Sequence, residues 1–224
     1  MKKVAILQFP GTNCDLDTQY AFEKLGANTT IVWHKEKELP KETDLVVVPG
    51  GFSYGDYLRS GAIAKFSPIM DAVIEYANAG GKVLGICNGF QILTEVGLLP
   101  GALKRNIGLH FISRFQTLKV VNNNNDFLKK CGVNEVLNIP IAHADGNYYI
   151  DEEGYKELEA NDQILVRYSD EQGEPVVVNG SVTSIAGVCN TTKNVFGLMP
   201  HPERALESVL GSEDGVKMLE GLIA

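Results

Sequence analysis

The sequence lacks a basic surplus. Its 20 lysines and arginines are outnumbered by 28 aspartates and glutamates, giving a formal net charge of −8 at pH 7 with histidine neutral. Neutralising phosphates calls for the opposite balance, so nucleic acid and anionic membrane surfaces are excluded as expected partners. No apolar run approaches the roughly 20 residues needed to span a bilayer. Met1-Lys2-Lys3-Val4-Ala5-Ile6-Leu7 imitates a signal peptide, but the run stops at Gln8 and polar Thr12-Asn13-Cys14-Asp15 follows, so no leader is expected. The four cysteines (Cys14, Cys87, Cys131 and Cys189) form no CxxC pair and no metal-like spacing. That pattern predicts no metal site and a reducing, cytoplasmic compartment. Neither G-x-x-x-x-G-K-[ST] nor G-x-G-x-x-G occurs, so no phosphate or dinucleotide loop is expected in this chain. What is present is ordinary globular composition: 224 residues, 44% hydrophobic and 21% charged. Against a prior of about 150 residues per domain this suits a single α/β domain over residues 1–224.

The first hundred residues alternate strand and helix patterns. Val4 to Phe9 is a short apolar run ended by Pro10-Gly11, and Asp15 to Leu25 is helix-like up to Gly26. Thr29 to Trp33 is β-branched and aromatic, and Leu45-Val46-Val47-Val48 is unbroken apolar sequence closed by Pro49-Gly50-Gly51, as in a strand covered on both faces. Pro68 to Ala79 is a helix with proline in its first turn and Gly80-Gly81 as its stop. Lys82 to Cys87 is another strand, and Phe90 to Val96 a helix. Such βαβ units build a mostly parallel open sheet with helices on both faces. The second half changes character. Strand-like runs at Phe111 to Val121, Glu135 to Tyr149, Val176 to Val178 and Val182 to Val188 are separated by turn sequences such as Asn122-Asn123-Asn124-Asn125 and Asn179-Gly180. This predicts an antiparallel extension. Leu206 to Leu222 is expected to close the chain as a helix interrupted near Gly211 to Gly215.

Chemistry concentrates at Gly85-Ile86-Cys87-Asn88-Gly89-Phe90-Gln91, where a strand meets a helix. A nucleophile on a sharp strand-to-helix turn needs small residues two positions either side, the G-x-S-x-G arrangement with cysteine in place of serine. The helix that starts at Asn88 aims its N–H groups and dipole at the sulfur, stabilising negative charge there and offering an oxyanion donor. Cys87 is therefore the candidate nucleophile, against the alternative of a buried structural cysteine. Cys14, Cys131 and Cys189 have no such setting and are expected to be structural. Of the four histidines, His201 sits in Pro200-His201-Pro202-Glu203. Pro202 keeps it out of the helical region, and extended residues two apart face the same way, so Glu203 reaches its ring. That is nucleophile, base and orienting acid in the order Cys87, His201, Glu203. His143, with Asp145 two residues on, is a rival base that pattern alone does not separate from His201. His34 and His110 are expected to be structural. The glycine-rich Pro49 to Gly61 segment leaves the carboxyl end of a central strand, where open α/β sheets place ligands, and a glycine N–H there would complete an oxyanion hole with Asn88.

Gly85 to Gln91 together with Met199-Pro200-His201-Pro202-Glu203-Arg204 resembles class I glutamine amidotransferases. Phe9 to Asp15, Pro49 to Gly61 and Ile141 to Tyr148 are similar to the small, separate glutaminase subunits of phosphoribosylformylglycinamidine synthases; Ser113 before Arg114 departs from that pattern. The resemblance implies a flavodoxin-like fold in which Cys87 attacks the glutamine side-chain amide. His201 would serve as base and acid, Glu203 as its orienting group, Gly51 and Asn88 as the oxyanion hole, Gln91 as a residue that helps fix the glutamine, and His143 as a substrate-loop residue. It further implies no cofactor in this subunit, a large synthetase partner that uses ATP and Mg²⁺, and a small bridging subunit. Two other readings remain open at this point: another amidotransferase or free-standing thiol hydrolase of the same fold, and a non-catalytic flavodoxin-like binding protein.

Overall fold

Residues 1–224 are described by a computed structural model. The alternating half runs as expected through β1 (Lys3–Gln8), α1 (Asp15–Lys24), β2 (Asn28–Trp33), β3 (Leu45–Val48), α2 (Ile69–Asn78), β4 (Lys82–Ile86) and α3 (Asn88–Glu95). All four residues of β3 are buried, which explains its unbroken apolar sequence. Beyond α3 come β5 (Ala102–Lys104), β6 (Ile112–Val120), β7 (Val136–His143), β8 (Asn147–Tyr149), α4 (Glu152–Ala160), β9 (Ile164–Tyr168), β10 (Ile185–Cys189), β11 (Val195–Leu198) and α5 (Asp214–Ile223).

Nine strands form one sheet in the order β2-β1-β3-β4-β11-β10-β9-β6-β7, while β5 and β8 pair separately. From β2 through β11 the pairings are parallel; from β11 outward they are antiparallel. The parallel part follows the flavodoxin-like order, with β11 as the fifth strand beside β4. One hydrophobic cluster of 53 buried residues runs through both halves, so the antiparallel extension shares the core of the parallel sheet. No helix is long and apolar enough to cross a membrane.

Several elements differ from the sequence expectation. Glu135 to Tyr149 is two strands, because the chain turns at Ala144 to Gly146. The helix α4 is announced by Asp151, whose Oδ1 accepts from Gly154 N at 2.8 Å in an N-cap, a signal hidden behind the preceding strand pattern. Val176 to Val178 is not a strand; only an isolated bridge joins Ser169 to Pro175. Val182 to Ser184 is a short 3-10 turn with Thr183 and Ser184 left-handed, so the strand starts at Ile185. The closing helix begins only at Asp214, because Gly211 ends a short 3-10 turn at φ 106°. β11 has no strand signature in the sequence, being only four residues long and containing Gly197. That glycine is a packing requirement: a Cβ there would lie 2.2 Å from Phe90 Cδ2.

The same close packing seats α3 on the sheet. A Cβ on Gly89 would lie 1.8 Å from the Val48 carbonyl oxygen, whereas one on Gly97 would meet nothing and suffers only from φ 78°. Gly89→Ala is expected to lower the unfolding free energy by about 3 kcal/mol through overpacking, and Gly97→Ala by about 1 kcal/mol through backbone strain. Urea denaturation of both variants checks this, and equal midpoints would contradict it.

Candidate active site

The carboxyl ends of β1, β3, β4, β7 and β11 deliver the site. Register pairs Leu198 with Ile86, so the residues after β11 emerge beside Cys87. Cys87 N–H donates to the Leu198 carbonyl at 2.8 Å, and the Cys87 carbonyl accepts from Gln91 N at 3.2 Å. Between these anchors Cys87 takes φ 51° and ψ −106°, a conformation that costs about 1–3 kcal/mol for a non-glycine residue and persists only when its surroundings enforce it. The two flanking glycines make that possible. A Cβ at Gly85 would lie 2.8 Å from the Gly89 backbone, and Gly89 itself touches β3. The buried Cys87 thiol points at the Ala142 carbonyl, 3.7 Å away.

His201 is held by its backbone, whose N–H donates to the Pro140 carbonyl at 2.8 Å. Its Nδ1 donates to Glu203 Oε1 at 2.6 Å, the direction required because a carboxylate only accepts; Nε2 is thereby left for other chemistry. Both residues are 2% exposed. Burial opposes charging the ring, but the Glu203 carboxylate and the Cys87 sulfur overcome it and hold the His201 pKa well above its ordinary value. Gly50 forms the wall against which the parts pack: a Cβ there would lie 2.8 Å from His201 Cε1, 3.0 Å from Cys14 Sγ and 3.4 Å from Cys87 Cβ. The resulting cavity of about 150 Å³ is bordered by Asn13, Cys14, Gly51, Cys87, His201 and Arg204, among others.

The remaining expected site residues separate into two groups. Gly51 lines the cavity at φ 144°, where a Cβ would lie 2.7 Å from Asn13 N. Asn88 opens α3, so its N–H has no carbonyl one turn earlier in the helix. Its side chain accepts from Ser53 N at 3.0 Å and donates to Gln91 Oε1 at 2.8 Å, while Gln91 Nε2 donates to the Asp145 carbonyl at 2.7 Å. Asn88, Gln91 and His143 are not among the residues that line the cavity. His143 meets Asn179 rather than Asp145, whose carboxylate accepts from Ser60 Oγ at 2.8 Å and sits 3.7 Å from Arg105 Nε. Burial, reinforced by the charge of His201, pushes the His143 pKa down to about 4. Of the two histidines that carry a carboxylate two residues on, only His201 is hydrogen-bonded to it. Of the other histidines, His34 is buried against Tyr54, whose hydroxyl lies 2.7 Å from its Nδ1, and His110 is exposed.

Cys14, expected to be structural, is buried and unpaired. It is not remote from the chemistry, because Phe9-Pro10-Gly11 carries it off the carboxyl end of β1 onto the same edge as Cys87. Arg204 Nη2 donates to its sulfur at 3.1 Å, and its thiol donates to Asn13 Oδ1 at 3.2 Å. Burial, only partly offset by His201, raises its pKa. Ligating atoms of Cys14, His201 and Glu203 lie within 4.8 Å of one another, but the Arg204 guanidinium already supplies positive charge at that sulfur. Cys131 and Cys189 are core thiols, pushed up to about 12 and about 11 by burial.

A flavodoxin-like sheet carrying a cysteine, a histidine and a glutamate at this edge is the framework of a glutamine amidotransferase. The sequence model of the CobB/CobQ-like glutamine amidotransferase domain matches residues 1–215. The chain is 68% identical over 219 residues to the phosphoribosylformylglycinamidine synthase subunit PurQ of Wolinella succinogenes, covering 98% of both chains. It is 66% identical over 221 residues to the corresponding subunit of Sulfurimonas denitrificans, covering 99% of both. A chain in the structure of PurLQS from Thermotoga maritima superposes with a TM-score of 0.88 at 41% identity, covering 99% of this chain and 97% of that one. The chain belongs to the PurQ family, the glutaminase subunits of phosphoribosylformylglycinamidine synthase in purine biosynthesis.

Asp56, in the glycine-rich loop after β3, has a buried oxygen without a hydrogen-bond partner. Burial, aided by the nearby Asp145 carboxylate, pushes its pKa up from 3.8 to about 6. An acid raised in the folded state favours the fold while protonated, so this contribution is present below about pH 4 and lost as pH rises through about 6. Asp56→Asn is therefore expected to be more stable than the parent near neutral pH by about 1 kcal/mol, the full shift being discounted for partial exposure. The two should converge on acidification, which melting curves across that pH range measure.

Proposed function

We propose that this chain, as one glutaminase domain over residues 1–224, hydrolyses glutamine through Cys87 and hands the ammonia to a synthetase partner. The observation that carries the reading is the buried His201–Glu203 pair, 2.6 Å apart, brought beside a cysteine on a strained strand-to-helix turn. His201 Nε2 takes the thiol proton, and the sulfur attacks the side-chain carbonyl carbon. The oxyanion forms against the N–H groups of Gly51 and Asn88. The imidazolium, stabilised by Glu203, returns its proton to the departing nitrogen; the C–N bond breaks and a γ-glutamyl thioester and ammonia result. Water then attacks the thioester with His201 as base, and glutamate leaves with the thiol restored. Gln91 and His143 act from behind the cavity, supporting the Ala142 to Gly146 segment that borders the substrate. A reducing cytoplasm suits a reaction that requires Cys87 as a free thiol, and all four cysteines are unpaired.

Ammonia in neutral water is largely protonated and no longer nucleophilic. It therefore has to pass under cover to the acceptor. Membership in the PurQ family, with a relative in the PurLQS structure, supports a large synthetase subunit and a small bridging subunit as partners. ATP and Mg²⁺ belong on the large subunit, where the ammonia converts formylglycinamide ribonucleotide to its amidine.

In the reconstituted complex, Cys87→Ala and His201→Ala are each expected to lower glutamine-dependent amidine formation by at least about 10³-fold while ammonia-dependent formation persists. A chloroketone analogue of glutamine should label Cys87. Loss on His143→Ala with activity retained in His201→Ala would reverse the assignment of the base, and unimpaired hydrolysis by Cys87→Ala would sink the mechanism.

A further inference from the structure

The Asn179-Gly180 pair has the sequence of a surface turn, yet Asn179 is 0% exposed and every polar atom of its side chain is engaged. Its Oδ1 accepts from Ser181 N at 3.1 Å and from Ser181 Oγ at 2.7 Å. Its Nδ2 donates to the Gly146 carbonyl at 2.8 Å and faces His143 Nε2 at 3.0 Å, with the Tyr168 hydroxyl at 3.3 Å. These partners fix the amide orientation, because a backbone N–H meets one end and a backbone carbonyl the other. An amide nitrogen only donates, so His143 Nε2 is placed as the acceptor, which assigns the proton of the neutral ring to Nδ1, an atom with no hydrogen-bond partner of its own.

His143 and Gly146 bracket the segment that borders Cys87. The Ala142 carbonyl lies 3.7 Å from Cys87 Sγ, and the Asp145 carbonyl accepts from Gln91 on α3. From the other side the buried Asn106 donates through Nδ2 to the His143 carbonyl at 2.9 Å and accepts at Oδ1 from Gly146 N at 3.0 Å. The segment is thus gripped by two buried asparagines. Only the Asn179 grip also reaches an ionisable ring. The titratable groups around that ring are His201, Tyr168 through Asn179, and Cys87 beyond Ala142; the Asp145 carboxylate is turned to Ser60 and Arg105.

We infer that Asn179 is a positioning residue for the glutaminase reaction, keeping His143 neutral as the Nδ1–H tautomer and the Ala142 to Gly146 segment seated against Cys87. An imidazolium at His143 would set a second positive charge beside His201 and penalise the protonated state that His201 must reach in each half of the reaction. The inference rests on the reading of Cys87 and His201 as nucleophile and base. Nothing in that reading requires Asn179, whose own side chain does not border the cavity.

The test uses the full chain and its complex with the synthetase subunits. Long-range ¹H–¹⁵N spectra of the histidine rings should show His143 in the wild type as the Nδ1–H tautomer, unchanged between about pH 5.5 and 8, since its pKa is pushed down to about 4. Asn179→Asp replaces the donor with a carboxylate; His143 should then carry a proton on Nε2 and titrate inside that window. Glutamine-dependent kcat should fall on the order of 10²-fold with KM little changed, and its pH profile should gain an ionisation. Asn179→Ala should lower kcat without the added ionisation. A wild-type His143 protonated on Nε2 overturns the inference without need of any variant. So do Asn179 variants that fold and keep the parent kcat and pH profile while the wild type turns over glutamine. If the wild-type complex turns over ammonia but not glutamine, the glutaminase reading itself fails and takes this inference with it.

Discussion

The hydrogen bond from Cys87 N–H to the Leu198 carbonyl is the constraint on which the rest depends. It fixes the last parallel strand against β4 in one register, and with that register His201 must emerge next to Cys87. A slip of one residue would turn β11 over, sending its buried side chains to the opposite face. The strained backbone at Cys87 is tolerable because both of its neighbours in the sheet and the helix above it are already committed. Gly85, Gly89 and Gly197 allow that packing by having no side chain, and Gly50 does the same for His201, Cys14 and Cys87. Close approach of backbones, more than any single polar contact, sets the geometry of the sulfur.

Around this point the protein uses two kinds of support. His201 and Glu203 are charged partners in a dry site, where their attraction is large enough to overcome the burial penalty on the ring. Behind them lies a neutral frame of Asn88, Gln91, Asn106 and Asn179, which satisfies the backbone of the segments lining the cavity. Buried amides suit that task because they offer donors and acceptors in fixed directions and carry no charge to interact with the reacting groups. The contrast between His201, raised, and His143, lowered, arises from this division. One ring faces a carboxylate, the other a carboxamide.

Sequence patterns carried the parallel half well. The apolar runs at Val4–Leu7 and Leu45–Val48 and the Gly85 to Gly89 elbow each report a local physical need, so their strands, helix and turn were legible. The contact between His201 and Glu203 was legible too, since proline and the two-residue spacing constrain where the carboxylate can be. What the sequence hid was long-range: β11 is too short and too poor in side chains to announce itself, and its place in the middle of the sheet is decided by pairing across most of the chain. The surroundings of Cys14 were hidden for the same reason, because its neighbours Arg204 and His201 lie far along the chain and nothing near position 14 foretells them. Asn179 shows the reverse error. In a pair that normally marks an exposed turn, the asparagine is here fully buried.

The late arrival of β11 also bears on how the chain is made. Until the β10 to β11 hairpin docks, β4 is a bare edge whose Val83, Leu84 and Ile86 would be open to pairing with any other strand, and β11 is what covers it. Until then the sulfur has no histidine beside it. A chain in which β11 has not yet docked is therefore prone to aggregate, and it lacks the pairing on which the proposed hydrolysis rests. Topology itself ties the meeting of Cys87 and His201 to the docking of β11.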